Sequence, residues 1–357
     1  MMLHASSRAG HAVALVIFLV AIAGAVGGQE ITAGADGIFR TRPIKNRVPL
    51  AAGRLIEIRA AASLRGSLSI TVHEADSAVL IYRKSAKTDS KTRAIDYVDV
   101  IALGLTSTPG GARLEMRSPN PAPWREGEYG AADVELRLPV ECEVDIDATY
   151  FDLEATGPFR SLVDNSSLGR LQVSGVTERL KLATANQKVV IQDVAGSISA
   201  ATSNATLTVF KANCSEENID LRNENGDIKA DHITGGLNIR NSYGRIEVTN
   251  FRSHGQNSFV RSTAGPISLA ATELTRCQLL VSNRYEDIEL WLPVEISAVL
   301  ALAVDESGHI EVGNLQVKSE MVQPNRLNLV AGAGNGLINA SIRGNGNVYV
   351  RGIDEGE

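Results

Sequence analysis

A repeat of about eighteen residues limits the folds that this chain can adopt. LNIRNSYGRIEV begins at Leu237, and LLVSNRYEDIEL, beginning at Leu279, repeats the same succession of apolar, polar and turn residues. Further copies are found by stepping from one apolar residue to its equivalent. The series is Leu153, Leu171, Val189, Leu207, Ile228, Ile246, Ile267, Ile288 and Ile310. We call these the anchor residues, and their spacing of 18 to 22 residues indicates a repeat architecture.

Each period contains two apolar-x-apolar pairs separated by polar turn residues and closed by a trailing apolar residue. The period around Ile246 is written by Leu237, Ile239, Asn241, Gly244, Ile246, Val248 and Phe251. Apolar residues two apart share one face of a strand, so each period predicts two short strands. Asn and Gly at the corners predict a backbone with positive φ there.

A pair of strands this short is only marginally stable in isolation, so successive periods must stack on one another. We therefore predict an all-β fold, a parallel β-solenoid with two short strands per coil of about 18–21 residues. The nine-residue offset between Leu237 and Ile246 favours a flattened roll with two main sheets. A triangular left-handed helix would need an apolar residue every six positions, a rhythm that Tyr243 and Thr249 break. The period does not set the handedness.

The N-terminus has the pattern of a secretory signal. Arg8 precedes an apolar run from Ala12 to about Val26, followed by small residues, which predicts a signal peptide over residues 1–28. The mature chain is then exported to the periplasm, the cell surface or the extracellular space. An uncleaved anchor is the alternative, because the run is nearly long enough to span a bilayer. No second apolar stretch in the sequence is long enough to cross a membrane, so the mature chain should have no membrane span.

Three further segments follow the signal. Residues 29–135 are predicted as an N-terminal β region with an opening coil from about Gly53 to Lys84. The strand candidates AIDYVDVIAL, ARLEMRSP and ADVELRLPV then form an antiparallel insertion or cap that protects the end of the roll. Residues 136–352 form the repeat domain, and residues 353–357 are a tail.

The cysteines fall in well-separated coils. Cys142, Cys214 and Cys277 belong to the coils of Leu153, Ile228 and Ile288. Stacked strands rise about 4.8 Å each, whereas a disulfide needs Cα atoms about 4.4–6.8 Å apart. We predict no intramolecular disulfide.

Several short motifs resemble one family. The entry strand LPVE, the coils NGDIKA, YGRIEV and SGHIEV, and the glycine-rich close GNGNVYVRG are similar to the bacterial "putative adhesin" domain family. The resemblance covers roughly Gly53 to Gly352 and implies an exported β-solenoid, with an adhesin role that is itself inferred from shape. Gln187, Ala205 and Glu286 depart from the pattern by replacing the corner glycine.

No catalytic or metal-binding motif is present in the sequence. H-E-x-x-H, G-x-S-x-G, a Walker loop and paired C-x-x-C are all missing, and NENGDIKAD is the nearest approach to a calcium-roll turn. We therefore predict no catalytic residues, no metal, no cofactor and no enzyme activity. The net charge of −6 and the lack of a basic block argue against nucleic acid as a partner.

One cluster of outward-facing residues is a candidate surface patch. Asp287, Glu289, His309 and Glu311 flank the last two anchors and predict an acidic patch with a histidine at the end of the array. Solvated charge ladders are the ordinary explanation for such positions. We refer to these four residues as the acidic patch.

The sequence favours an exported, non-enzymatic, adhesin-like β-solenoid that binds a surface or extracellular polymer or protein. One alternative is a polysaccharide lyase or glycosidase, which requires a deep groove lined by three or more carboxylates. A second is a self-assembling envelope scaffold, which requires an uncapped terminal coil.

Overall fold

The computed structural model describes residues 30–185, 187–305 and 307–354. The predicted signal peptide lies outside them. These ranges contain one helix, α1 (Lys91–Asp99), and twenty-seven strands. The N-terminal strands are β1 (Ile31–Ala33), β2 (Ile38–Thr41), β3 (Ile44–Pro49), β4 (Leu55–Ala60), β5 (Arg65–His73), β6 (Ser77–Lys87), β7 (Ala102–Thr108), β8 (Gly111–Arg117) and β9 (Tyr129–Pro139). The central strands are β10 (Glu143–Asp147), β11 (Tyr150–Ser167), β12 (Leu171–Thr184), β13 (Val189–Ala195), β14 (Ser197–Ala201), β15 (Leu207–Arg222), β16 (Ile228–Asn241), β17 (Ile246–His254), β18 (Asn257–Ser262) and β19 (Ile267–Thr275). The C-terminal strands are β20 (Gln278–Asn283), β21 (Ile288–Pro293), β22 (Ala298–Ala303), β23 (Ile310–Gly313), β24 (Val317–Gln323), β25 (Arg326–Ala331), β26 (Gly336–Ile342) and β27 (Val348–Ile353).

The predicted β-solenoid is confirmed. The anchors from Leu153 to Ile288 are successive partners in parallel pairing, each directly beside the next. They are buried, and fully burying one Val, Leu or Ile side chain contributes about 1.5–3 kcal/mol. The repeat therefore exists because each coil completes the sheet and the core of the next.

The strands form one continuous sheet folded into two stacks. Along the axis, stack 1 contains β7, β8, β4, β10, β11, β12, β14, β15, β16, β18, β20, β26, β22, β25 and β24. Stack 2 contains β6, β9, β5, β11, β12, β13, β15, β16, β17, β19, β21, β27 and β23. The long strands β11, β12, β15 and β16 contribute to both stacks.

A single left-handed residue explains the trailing apolar residue of each period. Four residues after the anchor, Asp193, Lys211, His232 and Asn250 have φ of 51°, 54°, 55° and 51°. This bend interrupts the alternation of the strand, so the residue after it points inward again, as buried Ile233 does.

The corner glycines are required for a reason that differs from the prediction. Gly226, Gly244 and Gly265 do not have positive φ. They stack directly on one another: a Cβ on Gly244 would lie 2.1 Å from the carbonyl oxygen of Gly226, and one on Gly265 would lie 1.9 Å from that of Gly244. The expectation of a left-handed backbone was wrong, and close approach of successive corners is the cause.

The C-terminal coil is inserted between two earlier coils. Val348 of β27 pairs with Ile288 on one side and with Ile310 on the other, so the last two anchors are not neighbours. In stack 1, β26 likewise lies between β20 and β22. The repeat series was therefore wrong in placing the coil of Ile310 directly after the coil of Ile288. A later segment with the same apolar pattern, β27, lies between these two coils.

The N-terminal end has the same kind of insertion. The coil of β4 and β5 lies between the coil of β8 and β9 and the coil of β10 and β11. Antiparallel strands then cover the end, β7 on stack 1 and β6 on stack 2. An antiparallel cap was predicted, but two of the segments assigned to it, ARLEMRSP and ADVELRLPV, form β8 and β9, which pair in parallel with β4 and β5. The pairing of β9 with β5 also continues across residues 135 and 136, where the repeat domain was predicted to begin.

The segment AIDYVDVIAL begins in a helix, which the strand prediction missed. Ser90 caps α1 by accepting a hydrogen bond from the Arg93 backbone nitrogen, and the buried residues Ala94, Tyr97 and Val98 have helical spacing. The segment enters strand β7 only at Ala102.

The three cysteines are buried free thiols. Burial raises the pKa of all three, and that of Cys214 to about 12, so they are protonated at neutral pH.

Candidate functional site

The acidic patch is divided by an inserted strand. Asp287 and Glu289 lie at β21, whereas His309 and Glu311 lie at β23. Tyr349 of β27 pairs with Glu289 on one side and with Glu311 on the other. The four residues share one face of stack 2, but the two pairs are two strands apart, about 10 Å, and a tyrosine lies between the glutamates.

Asp287 has a structural task at this position. Its Oδ1 accepts hydrogen bonds from the backbone nitrogen of Asn347, at 2.7 Å, and from the Asn347 side chain, at 3.2 Å. Asn347 in turn accepts from the backbone nitrogen of His309, at 3.0 Å. Asp152 and Asp227 accept backbone hydrogen bonds from the next coil in the same way. The carboxylate of Asp287 therefore joins coils, and Glu289 remains the more available acid.

A recess of about 330 Å³ lies beside Glu289. The guanidinium of Arg351 lies over the ring of Trp291 at 5.4 Å and 3.8 Å from the carboxylate of Glu311. Tyr349 and Leu290 complete the lining. Among the described residues, two carboxylates line this recess, those of Asp287 and Glu289, whereas a glycosidase or lyase groove was expected to have three or more.

A second surface, missed by the sequence analysis, is built from arginines. Arg222, Arg240 and Arg261 are consecutive partners in the parallel pairing of β15, β16 and β18 on the outer face of stack 1. Neighbouring strands are about 4.8 Å apart, so the three side chains form a row along the solenoid axis. Ser282 and Ser341 continue the same row on β20 and β26.

Three open recesses, of about 460, 580 and 890 Å³, meet at Arg261. Arginines contribute to all of them: Arg222, Arg240, Arg261, Arg284 and Arg343. We call the surface formed by these five arginines the basic groove. It runs along the corner where the stack 1 strands end, and hydroxyls such as Thr263 and Ser282 lie between the charges.

Among the described residues, Arg240 and Arg261 of the basic groove have no charged partner. Arg222 is bonded to Asp220, at 2.8 Å, which raises the pKa of the guanidinium. Within the described part of the chain, the guanidiniums of Arg240 and Arg261 have no ion pair or hydrogen bond. Asp305, which lines the same recess as Arg343, accepts a hydrogen bond from the backbone nitrogen of Gly344, at 2.6 Å. Positive charge is therefore available to a ligand in the middle of the row.

Buried asparagines hold the groove in place. Asn241, next to Arg240, donates to the carbonyl oxygens of Gly226 and Gly244, both at 2.9 Å, and accepts from the Ser242 backbone nitrogen. Asn223 and Asn283 occupy equivalent corners. These amides satisfy corner backbone groups that the sheet leaves unpaired, so the arginines extend from a rigid edge.

Exposed aromatic rings flank the arginines. Phe259 lies in the next outward row of β18 and is 47% exposed, while Tyr243 and Tyr285 at the corners are 66% and 45% exposed. Arg284 lies over the Tyr285 ring at 4.9 Å. The groove therefore offers cations, hydroxyls and ring faces on one surface.

The repeat register contains the signal that would have revealed this row. An arginine stands six residues before each of the anchors Ile228, Ile246 and Ile267. These arginines are 18 and 21 residues apart, so a search for a run of basic residues overlooks them, and the net charge of −6 conceals them further.

The Toastrack DUF4097 family model matches residues 159–297, the coils that carry the arginine row. Residues 159–297 are therefore similar to the Toastrack DUF4097 family. The family prediction is confirmed over those residues, a shorter range than Gly53 to Gly352. No curated protein matches the chain.

Solved structures similar to this chain come from species of Bacteroides, Clostridium and Parabacteroides. A "putative adhesin" from Bacteroides fragilis is 10% identical, with 87% of this chain and 97% of that chain covered and a TM-score of 0.29. A "putative cell adhesion protein" from Clostridium sporogenes is 11% identical, with 87% and 100% covered and a TM-score of 0.20. A "putative lipid binding protein" from Parabacteroides distasonis is 10% identical, with 86% and 96% covered and a TM-score of 0.30. The superpositions are poor, and the fold assignment rests on the strand pairing.

Two further observations concern the described residues alone. No helix in these ranges is long and apolar enough to cross a membrane. No group of three or more His, Cys, Asp or Glu in them could hold a metal ion.

Proposed function

We propose that this protein is an exported, non-enzymatic, adhesin-like module that binds an extended polymer at the cell surface or outside the cell. The observation that carries the proposal is the shape of the basic groove, which is open to solvent and runs along the axis across successive coils. An extended chain can lie along such a surface and contact equivalent side chains on each coil. Many weak contacts in register give avidity without a deep pocket.

The alternatives receive less support from the geometry. A carbohydrate-active enzyme would use the recess at Glu289, where the second carboxylate, Asp287, is bonded to the next coil. End-to-end assembly would use an uncapped coil, but the antiparallel strands β24 and β25 cover the C-terminal end of stack 1. Charged side chains on β24, such as Lys318 and Glu320, further oppose edge pairing.

The test is a binding screen of the chain from Gln29 against cell-wall and extracellular polysaccharides. Bound protein and released reducing or unsaturated sugar are measured in the same samples. We expect binding with no release. Release of sugar that disappears in Glu289→Gln, with folding unchanged, would establish the enzyme instead, and Glu135→Gln on an outward position of β9 serves as the matched control.

A further inference from the structure

We propose that the ligand of the basic groove is a linear acidic glycan whose carboxylates are bound by the arginine row. This inference rests on the proposed function and adds the chemical class of the polymer. It is carried by three properties of the groove: free guanidiniums, their spacing, and the aromatic and hydroxyl groups between them.

The first property is unsatisfied positive charge. Arg240 and Arg261 stand side by side on adjacent strands, and in the described ranges no carboxylate neutralises either of them. A guanidinium presents its N–H donors in a planar fork that matches a carboxylate in a bidentate pair. The fixed row therefore selects anions, and planar carboxylates fit its donors best.

The second property is periodicity. The row repeats at the strand spacing of about 4.8 Å, comparable with the length of one sugar unit in an extended glycan. A uronate chain carries one carboxylate per sugar, so its charges recur on a similar scale. Buried Asn241 fixes the corner beside Arg240, which keeps this spacing rigid and lowers the entropy lost on binding.

The third property is the mixture of groups beside the charges. Phe259 presents an exposed ring face next to Arg240 and Arg261, and the apolar face of a sugar ring can pack on such a surface. Ser282 and Thr263 offer hydroxyls to the sugar hydroxyls. Rings and hydroxyls between the cations match a glycan better than a bare phosphate chain.

The charge around the groove also opposes denser polyanions. The protein has a net charge of −6, and Asp220, Glu224 and Asp305 lie in the lining of the recesses. Such a surface repels a chain that carries a full charge on every short unit more strongly than it repels a uronate chain. We therefore infer a glycan in place of a nucleic acid or polyphosphate.

The experiment compares four polymers: polygalacturonate, its methyl ester, neutral dextran and inorganic polyphosphate. The chain from Gln29 is titrated with each at low and moderate salt. We expect the strongest binding to polygalacturonate, at least about tenfold weaker binding to the methyl ester, and weaker binding as salt rises, because exposed charge pairs are screened.

The decisive variant is Arg240→Gln with Arg261→Gln, expected to weaken polygalacturonate binding about tenfold or more. The matched control is Arg179→Gln with Arg252→Gln, which removes the same charge from exposed positions outside the row and should leave binding within about twofold. Replacing Arg240 and Arg261 by Lys should restore only part of the affinity, because an ammonium cannot make the bidentate pair. Circular dichroism and thermal melting establish that each variant is folded.

The outcomes separate this inference from the proposed function. Equal binding of ester and acid, binding of dextran, or full retention by the Arg240/Arg261 variant would overturn the acidic-glycan assignment while a polymer-binding role stands. Preference for polyphosphate would overturn it in favour of a phosphate polymer. Failure to bind any polysaccharide in this test and in the wider screen would overturn both proposals.

Discussion

The central coils and the two ends of the solenoid are connected in different ways. In the centre, each coil pairs with the next one in the chain, as Ile228 pairs with Ile246. At the ends, pairing joins segments far apart in sequence: Asp287 bonds to Asn347, 60 residues on, and Arg59 bonds to Asp145, 86 residues on. A terminal coil placed inside the stack has partners on both sides and cannot fray as a free end would.

The same difference separates the two charged surfaces. The arginine row lies on coils that follow one another, so the repeat register alone places its members together. The acidic patch lies at the inserted end, where Tyr349 and Arg351 arrive from a distant segment and change what Glu289 and Glu311 can contact. Side chains that recur with the repeat are therefore predictable as a surface, and side chains at an insertion are not.

The strongest test of this comparison places a charge in the inserted coil. Val350 of β27 and Val209 of the central strand β15 are both 0% exposed. We expect Val350→Asp and Val209→Asp each to cost several kcal/mol or prevent folding, because a buried carboxylate has no partner in either place. Urea unfolding and soluble yield measure the effect. Val322→Asp on exposed β24 is the control, and a Val350 variant as mild as this control would mean that the last coil is frayed.

The corner glycines of the central coils should tolerate no side chain. Gly244→Ala places a Cβ about 2.1 Å from the Gly226 carbonyl oxygen, so the corners must separate, at an expected cost of about 1–3 kcal/mol or more. Gly104→Ala, where a Cβ meets nothing within 4 Å, should be nearly neutral or stabilising. Thermal and denaturant melting of the two variants give the difference, and equal effects would contradict the stacking explanation.

Asparagine side chains link successive coils both in the centre of the solenoid and at its C-terminal end. Asn241, in the centre, is more deeply buried than Asn347, at the end. We expect Asn241→Ala to lower the free energy of unfolding by about 1–3 kcal/mol, because two carbonyl oxygens lose their donor in the interior. Asn347→Ala should cost less, about 0.5–1.5 kcal/mol, because Asn347 is only partly buried. Denaturant melts compare the two, and a larger loss for Asn347 would reverse the ranking.

The smallest expected effect is a local response to acid in the N-terminal cap. Hydrogen bonds from Thr88 and Tyr97 hold the pKa of Glu128 at about 2, below its ordinary value of 4.5. Because the folded pKa is lowered, the ionised carboxylate stabilises the cap above about pH 4.5, and this contribution is lost as the pH falls towards 2. We expect this pH dependence of stability in the cap and not in the central coils, because Glu128 belongs to the cap.

Trp124 reports on this change because its ring packs edge-on against Tyr97, at 5.1 Å. In a Trp291→Phe background, Trp124 fluorescence should change between pH 4.5 and 2 while the far-ultraviolet circular dichroism of the coils persists. Glu128→Gln should flatten that response. An unchanged response in the variant would show that another group causes it.

The period, the two strands per coil and the parallel stacking from Leu153 to Ile288 can be predicted from the amino-acid sequence. Apolar residues that recur at a fixed interval can be buried in only one register. The sequence also contained the arginine row, since equivalent positions of successive coils must lie side by side.

Three features could not be predicted from the repeat: the insertion of β27 between β21 and β23, the division of the acidic patch, and the helix at Lys91–Asp99. A periodic pattern makes coils interchangeable, so it cannot specify which of several compatible coils is the neighbour. That choice depends on chain connections and on non-local contacts such as Asp287 with Asn347, and a repeat interval does not record them.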